Sequence, residues 1–528
     1  MRILLILTLL LAACAATPES TAPGPSGLTF VHLNDTYRVG AVEDGTKGGF
    51  GRVVTLIRDL QDKGRDVRIL HGGDFLYPSL ESQLWQGMQM VEAMNYLDDL
   101  APLYVTTGNH EFDPRTPDHL VNAVRASTFD WLGDNYEFMT GDDEVDAALK
   151  QRFIFEHKGR RIGIFALTAH PDDGGSDRDY VPIEKDYLGA ARKAMAEFEA
   201  AGVDAIIGVT HLYMATDVEL AGLKKDYPRL AFIVGGHDHE PQYSKGSGST
   251  APVMKGASNA RAIWTIELDF DAEGLPVVDE RFLEMGAEVG PDEDYAAIDR
   301  KWHDKLYEIF PFLAAQVGEV AVPLDATEER IRSTENGWGN FIVDQMRTAF
   351  GDAPADLAFI NSGTLRIDDI VVGDITFEDI ARTFAFSSYL RYMTVSGREF
   401  RKLMETGYRG SGSQGYFPQV SGFRVCVDRS LPDGERIVSL QVPDEDGWQE
   451  IGTDTEYTLV VPDFLYRGGD GYVLSQDRPA SRPGSELKYL VLDAIVKAQA
   501  AGEAVGALPD PANPRYVALG PERRECWD

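Results

Sequence analysis

The chain has 528 residues, 43% hydrophobic and 26% charged, which excludes one small domain and a disordered chain. With 85 Asp plus Glu against 50 Lys plus Arg, its formal charge of -35 repels polyanions, arguing against nucleic acid or an anionic membrane surface as partner. An anionic substrate would have to be drawn in by local cations.

Arg2 precedes the apolar run Ile3 to Leu11, too short to span a bilayer and followed by small residues, as in a secretory signal. Leu11-Ala12-Ala13-Cys14 resembles the bacterial lipobox. That resemblance implies a signal peptide over residues 1–13, lipidation of Cys14 and a flexible tether over 14–27. Ala15 after the cysteine favours the outer membrane, so the expected location is the periplasmic side of a bacterial membrane. A plain secretory signal, with Cys14 incidental, would instead give a periplasmic or cell-surface protein. Cys426 and Cys526 remain; in an oxidising compartment they could pair, although sequence does not fix the connectivity.

Residues 28–285 alternate short apolar strands with amphipathic helices, predicting a layered α/β domain. Thr29 to Leu33 is the first strand and ends at Asn34-Asp35-Thr36-Tyr37; a helix over Gly51 to Gln61 follows. Val67 to Leu70 ends in His71-Gly72-Gly73-Asp74, and a helix from Gln83 to Leu97 leads to the strand Leu103 to Val105. That strand delivers Gly108-Asn109-His110-Glu111-Phe112-Asp113. Strands at Ile162 to Leu167, Ala205 to Val209 and Ala231 to Val234 follow, two of them ending in Thr210-His211 and Gly235-Gly236-His237-Asp238-His239.

Asp35, Asp74, Asn109, His211, His237 and His239 therefore lie just past the carboxyl ends of predicted strands, where open α/β sheets place ligands. Carboxylates, an amide oxygen and imidazoles form a mixed donor set suited to Mn, Zn, Fe or Co, and a shared carboxylate can hold two such ions. Singly, each residue has a plainer role: Asp35 and Asp74 as helix caps, His211 as a hydrogen-bonded core imidazole, His237 and His239 as a polar turn. Those readings would all have to hold together for the site to vanish.

The ordered set Asn34-Asp35, Gly73-Asp74, Gly108-Asn109-His110-Glu111, Thr210-His211 and Gly236-His237-Asp238-His239 resembles the calcineurin-like metallophosphoesterases, and Glu111-Phe112-Asp113 resembles the 5'-nucleotidase family within them. The resemblance implies a four-layer α/β/β/α domain holding two divalent ions (Mn, Zn, Co, Fe or Mg). Asp74 would bridge them, Asp35 and His239 would serve one, and Asn109, His211 and His237 the other. His110, oriented by Asp113, would stabilise the transition state or protonate the leaving oxygen. One position departs from the pattern: Tyr37 stands where the motif has a histidine ligand, and a neutral phenol is a weak metal ligand.

Asp292 to Ile309 reads as a helix with Ile298, Trp302, Leu306 and Ile309 on one stripe, within a connection over 286–317; it fits equally as the last helix of the first domain. Residues 318–520 then resemble the 5'-nucleotidase C-terminal domain, an α+β unit. Arg332 precedes Asn336-Gly337-Trp338-Gly339-Asn340 and a predicted helix Phe341 to Phe350, and Asn361-Ser362-Gly363-Thr364-Leu365-Arg366 follows. By that resemblance Arg332, Asn361 and Arg366 would hold a phosphate or its neighbours, Phe417 and Phe464 would sandwich a base, and Asp470 would accept from the ribose hydroxyls. Thr334 stands where a second arginine is common, which thins the phosphate clamp.

The expected function is metal-dependent hydrolysis of nucleotide phosphoesters by an activated water, the second domain rotating to carry substrate to the metals. Rival enzymatic readings are a 2',3'-cyclic nucleotide phosphodiesterase, a nucleotide-sugar diphosphatase and a relative of the sulfur-oxidation thiosulfohydrolases. The rival from another class, motivated by Tyr37 and Thr334, is a non-catalytic nucleotide-binding lipoprotein. The expected partners are a small nucleotide and, through Cys14, a membrane; oligomeric state is left open.

Overall fold

The structure, a computed structural model, describes residues 27–528 apart from 172–176, 352, 411, 413, 446, 475–480, 522 and 528. The expected signal, Cys14 and nearly all of the tether lie outside the described residues. Two sheets build the first half. The seven-stranded one runs, in spatial order, Pro276–Glu284, Ala262–Phe270, Leu28–Leu33, Asp66–His71, Leu103–Thr106, Asp130–Leu132 and Leu149–Lys150. The six-stranded one runs Gln242–Ser244, Val253–Lys255, Leu230–Gly235, Ala205–His211, Arg160–Thr168 and Phe153–His157.

Because successive side chains of a strand face opposite ways, each apolar strand feeds two cores. Leu28 and Phe30 join Leu70, Tyr104, Ile164, Ile207 and Phe232 between the sheets. Val31 and Leu33 instead face the helices Phe50–Asp62 and Met88–Leu100. Phe165 and Ile206 face Tyr187–Ala201 and Met214–Ala221 on the other side. Helices, two sheets and helices again make the four layers α/β/β/α. The parallel strands share one direction at their carboxyl ends, and these ends carry the motif loops.

Three predicted elements differ. The helix expected over 83–97 is two helices, Leu80–Trp85 and Met88–Leu100, broken at Gln86 (φ 55°) and Gly87 (φ 81°). Gly87 is pressed against Leu76, where an added Cβ would lie 2.7 Å from a side-chain carbon, so only glycine fits there. The connecting helix is Ala296–Ile309; Trp302 and Leu306 are buried, but Ile309 is 49% exposed and leaves the stripe. Trp302 packs at a tilt on Trp85, ring centroids 5.0 Å apart, so the helix packs on the first domain, while Tyr307 reaches Glu378 of the second. The helix expected over 341–350 is Gly337–Arg347, started earlier by Asn336, whose side chain accepts from the backbone N–H of Trp338 and Gly339.

The second half has a five-stranded mixed sheet centred on Leu357–Asn361 and Glu456–Pro462, packed by the helices Gly337–Arg347 and Leu487–Ala501, and a four-stranded sheet. Cys426 and Cys526 form a disulfide, with Cα atoms 5.5 Å apart, tying the last residues to a strand of that sheet.

Candidate active site between the two domains

Four polar residues at the strand ends adopt left-handed backbone: Asp35 (φ 51°), Asp74 (φ 60°), His237 (φ 81°) and His239 (φ 64°). Side chains rarely take that conformation, and residues held in it cluster at functional sites. Here it turns each side chain back over the sheet edge. Glycines make the approach possible: a Cβ on Gly108 would lie 2.1 Å from Asp74 Oδ1 and 2.6 Å from His211 Cε1, and one on Gly236 would lie 2.7 Å from Asp35 Oδ2.

The resulting cluster is buried and compact. Ligand atoms of Asp35, Asp74 and His211 all lie within 4.8 Å of one another, a group able to hold a metal ion. His211 Nε2 is 3.3 Å from Asp74 Oδ2 and 3.0 Å from Asn109 Oδ1, and His237 Nδ1 is 3.0 Å from the same amide oxygen. His239 Nε2 lies 3.3 Å from Asp35 Oδ1. Tyr37 places its hydroxyl 2.9 Å from His239 Nε2, 3.3 Å from Asp35 Oδ1 and 3.2 Å from Asp74 Oδ2, so it stands among the donors. His237 Nε2 is buried with no hydrogen-bond partner among the described residues. Two carboxylates, an amide oxygen, three imidazoles and one orphaned ring nitrogen fit a divalent cation on chemical grounds.

The surrounding charges set the histidines apart. Burial alone would lower the His211 imidazole, but Asp74 outweighs it and pushes the pKa up to about 9. Burial likewise works against a charged His110, yet Asp113 and Asp74 prevail and hold it above the usual histidine value. Burial, reinforced by His211, drives His237 well below that value, so its ring stays neutral as a ligand requires. His110 Nδ1 donates to Asp113 Oδ2 at 2.8 Å, leaving Nε2 toward the cleft, where it accepts from Arg366 Nη2 at 3.1 Å.

Glu111 belongs to the scaffold. Fully buried, it accepts from the backbone N–H of Asp74, Phe75, Leu76 and Gly108 at 2.5 to 2.9 Å, clamping two motif loops together. Sequence reading left it without a role, because its partners are backbone amides that carry no side-chain signal.

Facing this cluster across a cleft of about 380 Å³ are residues of the second half: Arg332, Asn361, Arg366, Phe464 and Asp470. Arg332 is 3% exposed; its Nε and Arg366 Nη1 are buried without a hydrogen-bond partner among the described residues. Asn361 donates to Asp470 Oδ2 at 2.8 Å, and Phe464, 41% exposed, lies over Gly469 beside Asp470. Phe417 is a correction: it is 2% exposed, packed edge-on against Tyr408 and Tyr516 in the core, and Tyr416 lines the cleft instead.

Comparison with known proteins matches residues 28–241 to the calcineurin-like phosphoesterase family model and 316–476 to the 5'-nucleotidase C-terminal domain model. The chain is 24% identical to the Bos taurus 5'-nucleotidase, over 90% of this chain and 89% of that protein. It is also 24% identical to the trifunctional nucleotide phosphoesterase YfkN of Bacillus subtilis, over 90% of this chain but about a third (34%) of that longer protein. Its fold resembles the crystal structure of a Thermus thermophilus 5'-nucleotidase precursor, with a TM-score of 0.77 at 24% identity, covering 93% of this chain and 99% of that one. The chain therefore joins a calcineurin-like phosphoesterase domain to a 5'-nucleotidase C-terminal domain, and the relatives it matches over most of its length include 5'-nucleotidases.

Proposed function

We propose that the chain hydrolyses nucleotide phosphoesters, releasing phosphate and nucleoside, with nucleoside monophosphates the favoured substrates. The observation that carries this reading is the cleft itself, with a carboxylate, imidazole and amide cluster on one wall and buried arginines beside an exposed aromatic on the other. Asp35, Asp74, Asn109, His211, His237 and His239 would hold two divalent ions, which when bound supply Lewis-acid charge and an activated water. Arg366 and Arg332, with donors still free, would grip the phosphate by charge-assisted hydrogen bonds. His110 would stabilise charge through Nε2 or, as an imidazolium with Arg366 moved off Nε2, pass a proton from there to the leaving oxygen, and Asp113 holds Nδ1. Phe464 would stack on the base with Tyr416 in the role expected of Phe417, and Asp470 with Asn361 would take the ribose.

The domain limits belong to the same proposal: a catalytic unit over 28–285, a connection over 286–317 and a substrate-binding unit over 318–520. So does anchoring through Cys14 on the periplasmic side of a membrane; no helix among the described residues is long and apolar enough to cross one. The test is phosphate release by the protein lacking residues 1–26, stripped by chelation and resupplied with Mn, Co, Zn or Mg, on AMP, ADP, UDP-glucose and a cyclic nucleotide. Metal-dependent release, fastest on AMP, is expected. Nucleotide binding without release under any metal would instead mark a recognition protein.

A further inference from the structure

His239 sits on the first domain, but its outer nitrogen is held by the second. His239 Nδ1 donates to Glu328 Oε2 at 2.6 Å, and Ser258 Oγ donates to the same oxygen at 2.8 Å. The other oxygen, Oε1, accepts from Arg332 Nη2 at 2.6 Å and lies 3.8 Å from Arg366 Nη1. His239, Glu328 and Arg332 are all 5% exposed or less. Donation from Nδ1 leaves the Nε2 lone pair aimed at Asp35 and the Tyr37 hydroxyl. Glu328 is itself fixed from two sides: its backbone N–H donates to Asp368 Oδ1 at 2.9 Å, and Asp368 takes Arg261 Nη1 at 2.9 Å and Asn259 Nδ2 at 2.7 Å from the first domain.

We infer that Glu328 is a positioning residue for His239, so that the ligand geometry of the first domain is completed only while the second domain is docked as seen here. This rests on the proposed reading of His239 as a metal ligand. A carboxylate behind a ligating histidine fixes its tautomer and ring plane, and losing such a partner commonly weakens metal binding about 10- to 100-fold. Glu328 is also the anion that Arg332 holds, so the arginine proposed to grip phosphate and the histidine proposed to hold metal share one carboxylate. The two binding events are thereby linked. Glutamine cannot replace Glu328, because both faces of the carboxylate meet donors and an amide offers an acceptor to one of them only.

The experiment is Mn titration by calorimetry on the full chain and on the variants Glu328→Gln, Glu328→Ala, His239→Ala and Glu81→Gln. The last breaks the ion pair of Glu81 with Arg382, which also joins the domains but lies away from His239. Expected are a 10- to 100-fold weaker site in both Glu328 variants, loss of that site in His239→Ala and unchanged affinity in Glu81→Gln. Unchanged Mn affinity in Glu328→Gln while His239→Ala loses a site overturns the inference alone. Equal weakening in Glu81→Gln also overturns it, since the effect would then be general opening of the interface. Full Mn stoichiometry in His239→Ala overturns the metal reading and this inference with it. Side-chain nitrogen NMR of His239 supplies a readout free of metal: the Nδ1–H tautomer should dominate in the parent chain and give way in Glu328→Gln. Retention of that tautomer in Glu328→Gln overturns the inference.

Discussion

The two walls of the cleft are built differently. The first-domain wall is made at the ends of buried parallel strands, where left-handed turns and two glycines leave Asp35, Asp74, His237 and His239 almost no freedom. The second-domain wall is made of loops and short helical turns, with Phe464 exposed and Asp470 at φ 52° between glycines. In the proposed reading, chemistry that tolerates little displacement would fall on the strand-end wall, and recognition of the substrate on the loop-built one. Substitutions should accordingly act on different quantities on the two sides.

The largest effect is expected from Asp74→Ala, which should abolish both metal loading and phosphate release, read by elemental analysis and turnover; retained metal would break the assignment of that wall. His110→Ala should lower kcat about 100- to 10,000-fold with metal content intact. Gly108→Ala, which changes no ligand, should weaken metal affinity about 10- to 100-fold, because the added carbon displaces Asp74 and His211. On the loop-built wall, Phe464→Ala should raise KM for AMP roughly 5- to 150-fold, the loss of about 1 to 3 kcal/mol of stacking, while sparing a small chromogenic phosphodiester. Phe417→Ala sharpens the contrast most: it should cost about 3 to 5 kcal/mol of stability in denaturant unfolding and leave KM of the surviving folded protein unchanged. A KM change matching that of Phe464→Ala would return Phe417 to the cleft.

That contrast also explains what could be read from sequence. The first-domain residues were legible because a hydrophobic run that stops at glycine and delivers Asp, Asn or His announces both its strand and its sheet edge. Phe417 was misplaced because it neighbours Tyr416 in the turn before Pro418–Ser421, where packing against Tyr408 and Tyr516, distant in sequence, decides which aromatic reaches the cleft. The break at Gln86-Gly87 depends on the approach of Leu76, a tertiary contact that no local pattern reports. Glu111 and Glu328 were passed over because their partners, backbone amides in one case and His239 in the other, are distant in sequence or have no side-chain signature.

The disulfide bears on how the protein should be produced. Cys426–Cys526 closes a loop of 100 residues and pins a tail that is otherwise held by the pairing of Tyr516–Leu519 with Arg424–Asp428, by Tyr516 against Tyr408 and Phe417, and by Trp527 Nε1 donating to Ser439 Oγ. In the chain-entropy account a loop of that length contributes about 4 to 5 kcal/mol. Material made in a reducing cytosol would carry two thiols there and lack that cross-link, whereas secretion through an oxidising compartment would form it. Preparations from the two routes are different molecules at their carboxyl end, and melting curves taken with and without reductant should be compared before any variant is judged unstable.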